Sequence, residues 1–142
     1  MTYTPISPAS KSVQAVALNN TGLPVFKGTP VGIDSSGNVQ LIDLSVENSA
    51  LAIVGIIKED TPNGEKATII GNGKIHNIST SVNVGSAVYI SKAGDLTDQK
   101  PSIGVGGFTE GDFVIFAGMI LINEQDPANK DIYVNIGIMG QL

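Results

Sequence analysis

Hydrolysis or group transfer needs at least a base held beside a nucleophile or a metal, and this 142-residue chain offers one imidazole, His76. The absence of cysteine removes thiolate nucleophiles, disulfides and thiolate-bound zinc together, and a single histidine makes a poor zinc site. His76 stands between Ile75 and Asn77 in an apolar-polar alternation, which predicts a surface or partly buried strand residue. The acids fall in turn-like strings: Glu59 with Asp60, Asp95 with Asp98, Glu110 with Asp112, and Glu124, Asp126 and Asp131, where solvated carboxylates are the expectation. NEQDPANKD (123–131) lacks the alternate spacing and the glycine of a helix-loop-helix calcium site. GVGGFTEG (104–111) is followed by no helical pattern that would aim N–H groups at a phosphate. The chain therefore reads as a non-enzyme with no catalytic residue, metal site or cofactor.

Charge narrows the partners. Net charge is −5, the eight basic residues are all lysines, and they are scattered singly, so no basic stripe predicts nucleic-acid binding. The longest apolar run, 113–122, lies between Asp112 and Asn123 and falls well short of the ~20 residues that span a bilayer. The opening MTYTPISPASK has neither a basic stretch nor an apolar core, so a secretory signal is not expected and a soluble protein is.

The elements that would position these residues are short and rich in valine and isoleucine. Seventeen glycines, seven prolines and only 15% charged residues favour a turn-rich β protein over helices. Strands are predicted over 13–18, 25–33, 39–44, 51–57, 67–70, 74–78, 84–91, 103–105, 113–122 and 132–138, separated by turn strings such as DSSGN, DTPNGE, KAGD and QDPANKD. In the last run Ile132, Val134, Ile136 and Ile138 share one face and Tyr133 and Asn135 the other, the mark of a strand with one buried side.

A repeat runs through these segments. GTPVGIDSSGNV (28–39) overlies GSAVYISKAGDL (85–96) without a gap, setting Gly28, Val31, Ile33, Gly37, Asn38 and Val39 on Gly85, Val88, Ile90, Gly94, Asp95 and Leu96. IVGII with NGEKATI (Gly55; Gly64, Ala67, Ile69) is then echoed by SIGVG with EGDFVIF (Gly104; Gly111, Val114, Phe116). Two hairpin units that cannot each cover an apolar face can close on one another. The expected fold is therefore all-β: a small β-barrel or β-sandwich built from two similar hairpin-containing halves, roughly 25–70 and 82–116, within a single β domain over 12–142. Residues 1–11, with Pro5 and Pro8 among Ser and Thr, predict an extended N-terminal arm.

The same order of parts resembles the capsid decoration, or cement, proteins of tailed bacteriophages. GLPVFKGTPVGID supplies the opening through Gly22, Pro24, Val25 and Gly28; VNVGSAVYISKAGDLT supplies a strand and turn through Val88, Tyr89, Gly94 and Thr97; and Ile103 with Gly104 supplies the return. The likeness covers about 19–121, beyond which the chain runs on through NEQDPANKDIYVNIGIMGQL. The resemblance implies a virion structural protein, made in the host cytoplasm, that binds the capsid outer surface and reinforces joints between major capsid protein subunits. It also implies self-association as a homotrimer. The arm would add a strand to a capsid subunit with Tyr3, Pro5, Ile6 and Pro8 as its partner-binding anchors. VYISKAGDLT also looks like modules of phage tail fibres, which makes a tail-fibre or baseplate part that recognises the host the alternative.

Overall fold

The computed structural model describes residues 13–142, so the predicted arm and its anchors Tyr3, Pro5, Ile6 and Pro8 lie outside the described residues. The chain is all-β, with one curled antiparallel sheet forming a half-barrel. Its strands are β1 (Val13–Leu18), β2 (Pro30–Ile33), β3 (Val39–Leu41), β4 (Ile53–Ile57), β5 (Lys66–Ile78), β6 (Ala87–Ile90), β7 (Leu96–Thr97), β8 (Phe113–Ile122) and β9 (Lys130–Gln141). One short helix, α1 (Glu47–Leu51), stands between β3 and β4. The sheet order is β3-β2-β4-β5-β9-β8-β6-β7, with β1 paired to β5.

That order is one five-strand plan used twice. In the first unit the opening strand β1 pairs with the first part of β5, which pairs with β4, then β2, then β3. In the second, the last part of β5 serves as opening strand and pairs with β9, followed by β8, β6 and β7. Ile70 pairs with both Gln14 and Ile56, and Asn72 with both Val13 and Asn135, so β4 and β9 follow one another along a single edge of β5. The string Gly71-Asn72-Gly73, which divides two predicted strands, is spanned by one continuous strand because Asn72 is held from both sides.

The hairpins repeat down to single hydrogen bonds. Gly28 N–H donates to the Ile57 carbonyl at 2.9 Å and Gly85 N–H to that of Ile120 at 2.8 Å. Gly37 N–H donates to the Asp34 carbonyl at 3.0 Å and Gly94 N–H to that of Ser91 at 2.9 Å. Gly37 and Gly94 both sit at positive φ (82° and 93°), which their turn demands and other residues resist. The turn N–H groups of Asn38 and Asp95 are taken by the side chains of Asp34 (2.9 Å) and Ser91 (3.0 Å).

The second half of the repeat differs from the expected pairing. Ile103 to Val105 form no strand but an exposed turn, and the counterpart of Val54-Gly55-Ile56 is Ala117-Gly118-Met119. Val31 faces Gly55 and Val88 faces Gly118, with a β-bulge immediately after each. A Cβ on Gly55 would overlap the Ile70 carbonyl, and one on Gly118 the Tyr133 carbonyl, so the two glycines meet the same obstacle. The connection between the third and fourth strands is longer in the second unit, which displaces the match along the chain.

Each unit fills its own concave side. Ala17, Val31, Val39, Ile57, Ala67 and Ile69 pack together in the first, with half-buried Ile33 against them, and Val88, Ile90, Ile120 and Ile132, the equivalents of Val31, Ile33, Ile57 and Ile69, anchor the larger core. That larger core also takes Ile56 and Ile70 from the convex back of the first unit, with Ile42, Leu44 and Ala50 from the segment around α1. The tail beyond the resemblance is integral, since β9 pairs with β5 on one side and β8 on the other; Ile132 and Val134 are fully buried as the alternation predicts, whereas Ile136 is half-buried and Ile138 is exposed, where the β8–β9 register shifts and β9 has run past β5. The units part at one point. α1 turns the chain off the edge of β5 ahead of β4 and leaves room for β9, whereas Phe113 to Phe116 stay paired with β9 as far as its end.

Candidate interaction surfaces

The polar cluster stands on the back of the second unit, where cross-strand register sets β5 beside β9. His76 Nδ1 lies 2.9 Å from Asp131 Oδ2. Asp131 Oδ1 accepts the Asn77 N–H and the Asn123 Nδ2–H, each at 3.0 Å. Asn77 reaches its position through a left-handed backbone (φ 57°), a conformation asparagine tolerates, within the register slip between Ile75 and Ile78. Burial pushes the Asp131 carboxyl up, but the Asn77 N–H, Asn123 and His76 outweigh it and hold the carboxyl below its ordinary value of 3.8. The expectation of a solvated acid is thus corrected for Asp131, and equally for buried Asp112, which accepts the Thr109 N–H at 2.9 Å and pairs with Lys92 at 3.0 Å. His76 itself is exposed, as its place in the alternation predicts.

Lys74, Asn77, Asn123, Glu124 and Gln125 complete the recess around this pair, about 310 Å³ in volume. No serine, threonine or cysteine lines it, so the dyad orients an imidazole toward no hydroxyl or thiol. What the geometry does is tie β5, β9 and the β8–β9 turn together through one buried carboxylate. Among the described residues no three histidine, cysteine or acidic side chains come together as a metal site.

Two surfaces fit adhesion better. The first is β1, which among the described residues has one ladder, with β5, and a single bridge from Leu18 to Asn38. Val13 and Val16 are each more than three-fifths exposed, and Leu18 is exposed beside them. The other outer strands, β3 and β7, have three and two residues, short enough to present little template, whereas β1 has six and carries no charge.

The second surface is the back of the second unit beyond the His76 cluster. Phe116, Gly118, Met119, Leu121, Tyr133 and Asn135 line an open apolar hollow there. Met119 pairs directly with Tyr133, and the Tyr89 ring meets that of Phe116 edge-on at 5.9 Å. Tyr133 Oη donates to Asn72 Oδ1 at 3.2 Å, and Asn72 Nδ2 to Asn135 Oδ1 at 3.4 Å, which links three polar side chains along the rim. Sequence reasoning missed this surface, although the polar face assigned to the last strand contains Tyr133, an aromatic among amides.

Among the described residues no helix is long and apolar enough to cross a membrane. No protein-family model, curated protein or solved structure matches the chain.

Proposed function

We propose that the protein is a structural component of a tailed-phage virion that binds the outside of the assembled capsid and reinforces contacts between major capsid protein subunits. The observation that carries this reading is β1, an uncharged, largely apolar strand whose second edge carries no strand among the described residues. An exposed apolar edge strand is a standing template for another chain, and natural β proteins cover, shorten or charge such edges unless they use them. A capsid subunit that supplies one strand would gain main-chain hydrogen bonds over β1 and bury Val13 and Val16 in the same step. The ordered likeness of 19–121 to decoration proteins supports the choice of partner, and the net charge of −5 favours the solubility of unassembled copies.

The test mixes the purified protein with undecorated capsids, then measures co-sedimentation and the temperature at which the particles open. Co-sedimentation and a raised opening temperature are expected. No binding and an unchanged temperature overturn the reading. Val16→Lys, which charges the free edge of a folded protein, is expected to abolish binding and leave the circular dichroism spectrum unchanged.

A further inference from the structure

We propose that Asn63, in the turn between β4 and β5, is a site of spontaneous deamidation whose isoaspartate product loosens the junction at the end of β1. The inference goes beyond the adhesive reading above and does not depend on what β1 binds.

Two asparagines in the chain are followed by glycine, Asn63 and Asn72. With glycine next in sequence, no side chain shields the backbone nitrogen as it approaches the asparagine's amide carbon. The fold sets the two pairs in opposite conditions. Asn72 lies inside β5, paired with Val13 on one edge and Asn135 on the other, and its side chain bonds those of Tyr133 and Asn135. Gly73 beside it is buried. Asn63 and Gly64 are exposed, in a turn closed by the Glu65 N–H on the Pro62 carbonyl at 3.2 Å. Gly64 stands at φ 89° with open space where a Cβ would be. For Asn63 to react, the Gly64 N–H has to leave one acceptor, the Asn19 carbonyl at 2.7 Å. For Asn72 to react, a strand held on both edges has to open, which is far rarer than the opening of an exposed turn.

The chemistry needs only water. The Gly64 nitrogen loses its proton to hydroxide and bonds Cγ of Asn63, closing a five-membered ring. The bond from Cγ to Nδ2 breaks, and that nitrogen leaves as ammonia with a proton taken from water. Hydroxide then opens the ring at either carbonyl, giving aspartate on the original backbone or isoaspartate with the backbone routed through Cγ. Negative charge gathers on Asn63 Oδ1 in the first step, and the Gly22 N–H already donates to that oxygen at 2.8 Å.

The two products differ in what they disturb. Aspartate keeps an oxygen for Gly22 and leaves the backbone as it was. Isoaspartate adds a carbon to the main chain immediately before Gly64 and Glu65, the residues that bond the Asn19 carbonyl and N–H. Asn19 is fully buried, and its Nδ2 donates to the Leu23 and Thr61 carbonyls at 2.9 and 3.0 Å, so it joins the end of β1 to both loops. A longer backbone at 63 pulls on that junction.

The experiment ages the full folded chain at neutral and mildly alkaline pH, then digests it with trypsin. Cleavage after Lys58, Lys66 and Lys74 puts Asn63 in peptide 59–66 and Asn72 in peptide 67–74, so each serves as control for the other. Deamidated and isoaspartyl-methylated product is expected in 59–66, rising with pH and forming at least about tenfold faster than in 67–74. In urea the two peptides are expected to convert alike, and Asn63→Gln to remove the signal from 59–66. Amide exchange at Asn19 and Gly64 is expected to be faster in the aged chain than in Asn63→Asp, which carries the same charge on an unaltered backbone. An aged folded chain whose 59–66 stays intact while urea converts it overturns the inference, as does one rate for both peptides in the folded chain. Exchange equal in the aged chain and in Asn63→Asp overturns the loosening.

Discussion

The two units share strand order, hairpin turns, bulges and close-packed glycines, yet one hides its convex back and the other shows it. Ile56 and Ile70 lie within the main core; Met119 and Tyr133, at the same stations, face outward. The backbone plan is therefore indifferent to which face is wet, and side-chain choice records what each copy of the plan has to touch. Aliphatic isoleucines fill an interior. Methionine and tyrosine stand where the surface is open, one with a flexible thioether and the other with a hydroxyl that reaches Asn72.

The comparison breaks most sharply at the paired glycines. Gly55→Val and Gly118→Val both force a side chain into a neighbouring carbonyl, and each is expected to cost about 4 kcal/mol or more by urea unfolding. A large loss at one and none at the other would undo the equivalence of the units. Next come the back-face residues, where Ile56→Ala is expected to cost about 2–5 kcal/mol and Met119→Ala about 1 kcal/mol or less in the monomer.

Acid separates the units in a third way. Asp131 stands where the first unit has Thr68, and its carboxyl is held below its ordinary value, so its charged form belongs to the folded state. That contribution is complete above the unfolded value of about 4 and is lost as pH falls from there through the lower folded value. Amide exchange at pH 3 is expected to quicken in β9 before it does in β1, and Asp131→Asn to remove the difference. The smallest effects belong to the turns: Ser91→Ala removes one side-chain hydrogen bond and is expected to cost about 0.5–1.5 kcal/mol, and Asp34→Ala, which removes two, somewhat more, read as thermal midpoints.

Much of the fold is legible because it is local. The bounds of β1 and β8 coincide with apolar runs closed by turn residues, and the hairpin repeat follows from glycines whose positive φ nothing else supplies cheaply. What escapes is non-local. IGVG and AGM look alike until the opposing strand is known, and a longer connection in the second unit makes the wrong one match in chain order. The burial of Asp131 depends on Asn77, far away in sequence, and α1 is too short to show a period. The apolar hollow is harder still, since an exposed tyrosine on an alternating strand is ordinary until its covered twin is located.

β5 is the feature from which the rest of the architecture is measured. It ends one unit and begins the next, so a ribbon that kept lending its last strand forward would lengthen without limit. β9 is long enough to lend in turn, but Phe113 to Phe116 already hold the edge that a third unit would need. Four residues that elsewhere in the pattern give way to a helical turn thus occupy the edge along which a next unit would be added.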